Sequence, residues 1–322
     1  MRERAKTLYF PYLYARQSEM LAMRSLRGNY PLRDVVIPIL EPVNRAHAPL
    51  QRLLNDFGAA NDNLIVVTNP YQHEFHGRGL DGWIEPIEEA IDAHGSLIPG
   101  LLCSQATTAE QIRDFLAQYR GRDVALMYMN ARLSDAQVQR LADRANIRFH
   151  INLHERMSAA HRAMLPRGKV VDIRDDFQRK ARNADYDGIE FFTDRHLNYQ
   201  QVAVGFGDYP ILGATFEAGG GPAAAVAIHG TFKERGGDVW VEHFVSDDVE
   251  LDVGTVGEKF LQAAGKLVTR ARQFPRKFGN DQALQDYAAD VAAQHYPGLG
   301  KSKERQIYHH VALMHQLLTG QL

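Results

Sequence analysis

Six short apolar runs, each ending on a polar residue and each followed by a helix-like stretch, constrain this chain more than any other feature. They cover residues 35–41, 64–69, 97–103, 124–130, 147–152 and 169–172, and their last residues step along the chain by 20 to 34 positions. One strand plus one helix fills roughly that length. Uninterrupted apolar runs suit parallel strands that helices cover on both faces. The polar residues closing the runs matter because parallel α/β architectures gather their sites at the carboxyl ends of strands.

An aromatic stretch at 8–14 reads as a first strand and 17–26 as the first helix. Helical spacing recurs at 45–57, 80–93, 109–119, 135–145 and 158–163, with Thr107, Thr108 and Ser134 as start signals and Gly58 and Gly121 as stops. Beyond Asp175 the rhythm changes. Residues 189–192 and 209–216 read as strands, and 223–232 with 239–245 as a hairpin around Arg235-Gly236-Gly237-Asp238. Three helices, 255–273, 281–294 and 303–318, close the chain.

Counting 209–216 as the eighth strand predicts a (β/α)8 TIM-like barrel, a single α/β domain over residues 1–322. A β-hairpin at 223–245 decorates it, and a C-terminal helical segment at 255–322 packs on the barrel. The alternative is an open doubly wound sheet. That fold usually opens on a Gly-rich first turn, whereas the first turn here is Tyr14-Ala15-Arg16-Gln17-Ser18.

Charge excludes one class of function at the global level. Lys and Arg total 37 against 39 acidic residues, a net charge of −2, so no overall field recruits nucleic acid or an anionic membrane. No run of about 18 apolar residues exists to span a bilayer. The amino terminus lacks the apolar core and cleavage site of a signal peptide, and the single cysteine, Cys103, fits a reducing compartment. A cytoplasmic location follows as the expectation, with Cys103 as a small buried hydrophobe. Arg270, Arg272, Arg276, Lys277, Lys301, Lys303 and Arg305 make the last helices locally basic. A solvated face is the plain reading; a surface for nucleic acid or an acidic partner is the functional one.

Alternation in the fifth-to-sixth strand region supplies the sharpest site clue. In 147–154, Phe149, Ile151 and Leu153 share one face, while His150, Asn152 and His154 share the other. If the apolar row packs on helices, the polar row points inward or toward the barrel mouth. Asp172 and Arg174 repeat the pattern on the next strand, and Glu41, Asn69 and Asn130 end three earlier runs. Tyr14, Arg16 and Glu19 join them from the first turn, and Asp208 lies before the last expected strand.

This reading makes Glu41, His154 and Asp172 the acid/base candidates. Arg16, Asn69, Asn130, His150, Asn152, Arg174 and Asp208 become the ligand-binding candidates. Their ligand is expected to be small and polar or phosphorylated, and hydrolysis is one reaction such a site could run.

Other motifs carry less. His73 and His76 have a metal-like spacing but no second cluster, so no metal is assigned. Gly219-Gly220-Gly221 leads into a strand rather than a helix N-terminus and reads as a connector. A two-residue Gly236–Gly237 turn would pair His229 with Phe244, placing His229 and His243 on opposite faces. Walker, Rossmann, zinc-ligand and nucleophile-elbow signatures are all missing, so the cofactor stays unknown.

The opening Tyr9-Phe10-Pro11-Tyr12, then Glu19-Met20-Leu21-Ala22-Met23 and Pro38-Ile39-Leu40-Glu41-Pro42, resembles the beta protein family of bacterial and phage-related proteins. Gly207-Asp208-Tyr209 and His243-Phe244-Val245-Ser246-Asp247 extend the resemblance across most of the chain. It implies a barrel-like α/β fold and a role in a small bacterial operon, phage-related or defensive, beside an operon-encoded partner protein. It brings no catalytic residues with it, but marks Arg16, Glu19, Glu41, Asp208, Tyr209 and His243 as matching positions. Two functions compete: an enzyme working at the strand ends, or an inert scaffold that binds a partner protein or nucleic acid through the hairpin and basic helices.

Overall fold

The computed structural model describes residues 8–219 and 223–322, so Gly220 and Gly221 of the glycine run lie outside the described residues. The chain divides into two compact units. The first comprises Met1–Met20, Pro31–Asp175 and Asn198–Tyr209, and the second Leu21–Tyr30, Asp176–Leu197 and Pro210–Leu322. No helix among the described residues is long and apolar enough to cross a membrane.

The first unit is a curled, all-parallel nine-stranded sheet flanked by helices. Its strands are β1 (Leu8–Tyr9), β2 (Tyr12–Leu13), β3 (Ile39–Leu40), β4 (Leu64–Val67), β5 (Leu97–Cys103), β6 (Val124–Tyr128), β7 (Ile147–Leu153), β8 (Val170–Arg174) and β10 (Gly205–Asp208). They hydrogen-bond in the order β1-β10-β8-β7-β6-β5-β4-β3-β2. Only Phe10 and Pro11 separate β1 from β2, and Pro11 has no N–H to offer the ladder. The segment still bonds on both sides. Phe10 N donates to Phe206 O at 2.9 Å, while Ile37 N and Ile39 N donate to Tyr9 O and Pro11 O at 2.9 Å.

Helices α2 (His47–Ala59), α3 (Ile84–Ala93), α4 (Ala109–Gln118), α5 (Asp135–Ala142) and α6 (Ala159–Met164) follow successive strands, β3 to β7. Capping boxes fix where two of them start: Thr108 with Gln111, and Ser134 with Gln137. Strands β4 to β6 are continuous buried runs in the expected places, and β7 and β8 also fall where expected, with polar residues alternating among their apolar ones.

The eighth expected strand is misplaced. Residues 205–208, just ahead of the expected strand, form β10, and 209–216 form no strand. The glycines are there for space. A Cβ on Gly207 would stand 1.9 Å from the Phe10 carbonyl oxygen, and one on Gly205 2.4 Å from the Phe10 ring.

The second unit has its own antiparallel sheet, β11 (Ala227–Lys233), β12 (Val239–Val245) and β9 (Ile189–Thr193), in that order. Its core joins Ile228, Phe232 and Phe244 of the sheet to Phe260, Ala264 and Leu267 of α7 (Val256–Gln273), Phe278 of α8 (Pro275–Phe278) and Tyr287 of α9 (Gln282–Ala293). The hairpin expected at 223–245 is therefore a core element of this unit.

Its register also differs from the expectation. Lys233 pairs with Val239, so the loop is longer than a Gly236–Gly237 turn, and His229 pairs with His243. A shift of one residue reverses the face of every side chain. Gly237 takes the left-handed position, φ 97°, that a three-residue hairpin loop needs.

Helix α10 (Leu299–Thr319) is buried nearly all round from Ser302 to Gln316. Its polar residues are matched within the unit: Arg305 pairs with Asp290, and His309 sits between Asp281 Oδ2 at 2.6 Å and Thr231 O at 2.8 Å. The expected basic face is largely neutralised, with Arg270 on Glu242, Lys277 on Glu234 and Lys301 on Glu304.

Candidate functional site

The site is built on the face of the sheet that carries Phe10. That ring meets Phe149 of β7 with centroids 5.1 Å apart and fills the space left by Gly205, while the Phe10 backbone carbonyl lies against Gly207. Residues alternate across a strand, so Tyr12 and Tyr14 share the face of Phe10, and Tyr209 shares the face of Gly207. The three tyrosines do meet. Tyr12 and Tyr209 lie 4.9 Å apart by ring centroid, Tyr12 and Tyr14 5.9 Å, and Tyr14 and Tyr209 6.2 Å.

Glu41 is set against this cluster by the parallel ladder. Tyr12 pairs with Ile39 and Leu13 with Leu40, and Glu41 N continues the ladder by donating to Leu13 O at 2.8 Å. Glu41 is 2 % exposed. Tyr12 Oη donates to one oxygen at 2.6 Å and Gln72 Nε2 to the other at 2.9 Å. Both donors are neutral. Burial pushes the Glu41 carboxyl up to about 7, and the two hydrogen bonds offset only part of that rise. Burial, with the Glu41 charge adding to it, also raises the Tyr12, Tyr14 and Tyr209 phenols, which all stay protonated.

His154 completes the group. It follows β7 directly, and its Nε2 is hydrogen-bonded to Tyr209 Oη at 2.8 Å, with the rings nearly parallel. Burial, and Arg156 beside it, lower its pKa, while Asp175 acts in the opposite sense. The neutral ring is thus the ordinary state. Its backbone is left-handed, φ 53°, as is that of Glu155 at 55°, and Asn130 after β6 and Ala15 after β2 are left-handed too. Such positions cost about 1–3 kcal/mol each without glycine and concentrate at functional sites.

Glu41, Tyr12, Tyr209 and His154 form one connected group, and the remaining candidates do not join it. Asn152 and Asp172 pair in register, on the face opposite Phe149 and Ile173. That face meets a helix. Arg162 of α6 donates from Nε to Asp172 Oδ1 at 3.1 Å, Asn152 Nδ2 donates to the same oxygen at 3.1 Å, and Asn152 Oδ1 accepts from Met157 N. The expectation that this polar row points inward is therefore reversed. The apolar row fills the concave side, and an arginine on the covering helix compensates the outward carboxylate.

His150 lies on the same outward face in mid-strand, fully buried against Tyr128 Oη at 2.8 Å, and burial lowers it to about 4. Asp208 is also buried outward, accepting from Tyr9 Oη at 2.7 Å. Arg174 is exposed and pairs with Glu155.

Asn69 bridges strands structurally, donating to Leu102 O at 3.0 Å and accepting from Leu102 N at 2.8 Å. Arg16 pairs with the buried Glu19 at the start of α1 (Gln17–Asn29). Asn130 occupies a left-handed turn. His73 and His76 lie in the loop after β4, and no group of three or more metal-ligating side chains occurs among the described residues. Cys103 is buried, and burial pushes its thiol up to about 12.

Sequence reasoning missed Tyr12 and Gln72. The alternation Phe10-Tyr12-Tyr14 was a signal for the first; Gln72 sits in an irregular loop and had none. No family model matches the chain, and no curated protein matches it.

Proposed function

We propose that the first unit closes into an eight-stranded (β/α)8 barrel and works as an acid–base enzyme on a small polar or phosphorylated ligand. Closure is supported by the bonding of the Leu8–Leu13 segment to β10 on one side and to β3 on the other. Glu41 carries the reading. A carboxyl held near pH 7 by burial is present in both protonation states at neutral pH, which suits a group that takes and returns a proton. Tyr12 holds Glu41 in place, and the Tyr209–His154 pair offers a second protonatable group on the same face. Hydrolysis is the simplest reaction for such a set.

Membership of the beta protein family belongs to this proposal. The resembling segments include Tyr12 by position, Glu41 and Tyr209, the residues that build the group. A phage-related or defensive role and an operon-encoded partner follow from it alone. The scaffold reading is weaker, because acidic neighbours neutralise four of the seven basic residues it needs, Arg270, Lys277, Lys301 and Arg305.

The test is a screen of polar and phosphorylated small molecules for binding and turnover, run in parallel on wild type, Glu41→Gln and Tyr12→Phe. Compounds converted by wild type and not by Glu41→Gln are expected. Finding that every bound compound is handled equally by wild type and Glu41→Gln would contradict the proposal.

A further inference from the structure

The second unit carries a chain of titratable side chains that Glu41 and its neighbours do not use. His243 of β12 lies directly opposite His229 of β11, and their Nδ1 atoms are 2.8 Å apart. Across the His243 ring, Nε2 stands 3.4 Å from Glu190 Oε2 of β9, and Lys180 holds the other Glu190 oxygen at 2.9 Å. Phe177 and Tyr186 pack against both imidazoles. The charged and titratable groups facing the pair are Lys180, Tyr186 and Asp187 from the segment before β9, Glu190 from β9, and Lys303 from α10.

One proton assignment satisfies these contacts with both rings neutral. His243 carries its proton on Nε2, toward the Glu190 carboxylate. His229 carries its proton on Nδ1 and donates it to His243 Nδ1. Burial favours neutrality in both rings, holding them below the ordinary imidazole range. His229 Nε2 then presents a lone pair, and no hydrogen-bond partner occupies it among the described residues.

We propose that Glu190, His243 and His229 form a second acid–base centre, in which His229 Nε2 takes a proton from the O–H or N–H of a small protic ligand. The ligand's proton bonds to His229 Nε2 and leaves the ligand as its conjugate base. The proton on His229 Nδ1 passes to His243 Nδ1, so the positive charge comes to rest on His243, opposite the Glu190 carboxylate. His229 touches the ligand; His243 and Glu190 act through it and are positioning residues. The inference does not depend on the reading of Glu41.

Long-range nitrogen–proton correlation on ring-labelled, full-length wild-type protein at pH 7.5 tests the assignment. It should find His229 protonated at Nδ1 and bare at Nε2, and His243 the reverse. Diethyl pyrocarbonate then tests access, because only an unprotonated imidazole nitrogen attacks its carbonyl carbon, expelling ethyl carbonate. His229 should be acylated on the order of tenfold faster in wild type than in Glu190→Gln, with the unfolding midpoint of the variant unchanged. A His229 proton found on Nε2, or equal acylation of the two proteins, would overturn the proposal. If Glu190→Gln does not fold, the wild-type tautomers decide alone.

Discussion

Glu41 in the first unit and Asp281 in the second are both buried carboxylates, and their surroundings differ in kind. Glu41 is held by two neutral donors, Tyr12 and Gln72. Asp281 accepts from the first backbone N–H groups of α9, at Ala283 and Leu284, and from His309 at 2.6 Å. His309 also contacts Thr231 O, so both ring nitrogens donate, and the Asp281 charge raises its pKa above the ordinary range despite burial.

One carboxylate is thus matched by a cation and a helix N-terminus, and its charge is structural. The other has no matching charge, and its proton is loosely decided at neutral pH. Asp172 is a third case, half-buried and answered by Arg162. What separates a reactive carboxyl from a structural one here is the sign of its neighbours, not the depth of its burial.

The comparison can be broken most forcefully from the second unit. Asp281→Ala removes the counter-charge of His309 and the cap of α9 together, and should cost about 3–5 kcal/mol in denaturant unfolding. A loss below about 1 kcal/mol would mean the pair is not ionised. The His309 contribution has a definite sign: with its folded pKa raised, it is complete below the unfolded value of about 6.5 and is lost as pH rises through the folded value.

Glu41 sharpens the contrast through its pH dependence. Its folded pKa is also raised, so its contribution is complete below about 4.5 and lost as pH rises through about 7. Between pH 4.5 and 8, wild type should therefore lose about 3 kcal/mol of stability relative to Glu41→Gln. Parallel stability curves for the two proteins would remove the basis for a shifted carboxyl.

Asp172→Asn comes third. It leaves the half-exposed Arg162 without its carboxylate and should cost about 1–2 kcal/mol, measured by thermal unfolding, with no change in how Glu41 titrates. A coupled change in Glu41 would place the two groups in one network after all.

Much of the first unit was legible in the sequence, for a physical reason. Strand β5 begins where its apolar run begins, because a strand covered on both faces by apolar neighbours has no polar position to blur it. The failures are equally specific. Gly205 and Gly207 fell outside the expected strand because the partner that needs their missing Cβ, Phe10, is almost 200 positions away in sequence.

Of the polar row His150, Asn152 and His154, the first two, with Asp172 on the next strand, were assigned the right parity and the wrong side, while His154 leaves the row through its left-handed backbone and meets Tyr209. Alternation alone does not say which face of a doubly covered strand meets the helices, and the deciding partner, Arg162, sits in a short helix. The His229–His243 pair was lost to a one-residue difference in loop length. Glu41 was found because it ends a strand; its partner Tyr12 was not, because tyrosine in an aromatic strand reads as core.

The most direct test is the titration of the Glu41 side-chain carboxyl in carbon-13-labelled wild-type protein, followed by NMR and assigned with Glu41→Gln. A midpoint near 7 is the result expected from burial among neutral donors. A midpoint between 4 and 5 would show an ordinary carboxylate and contradict the site.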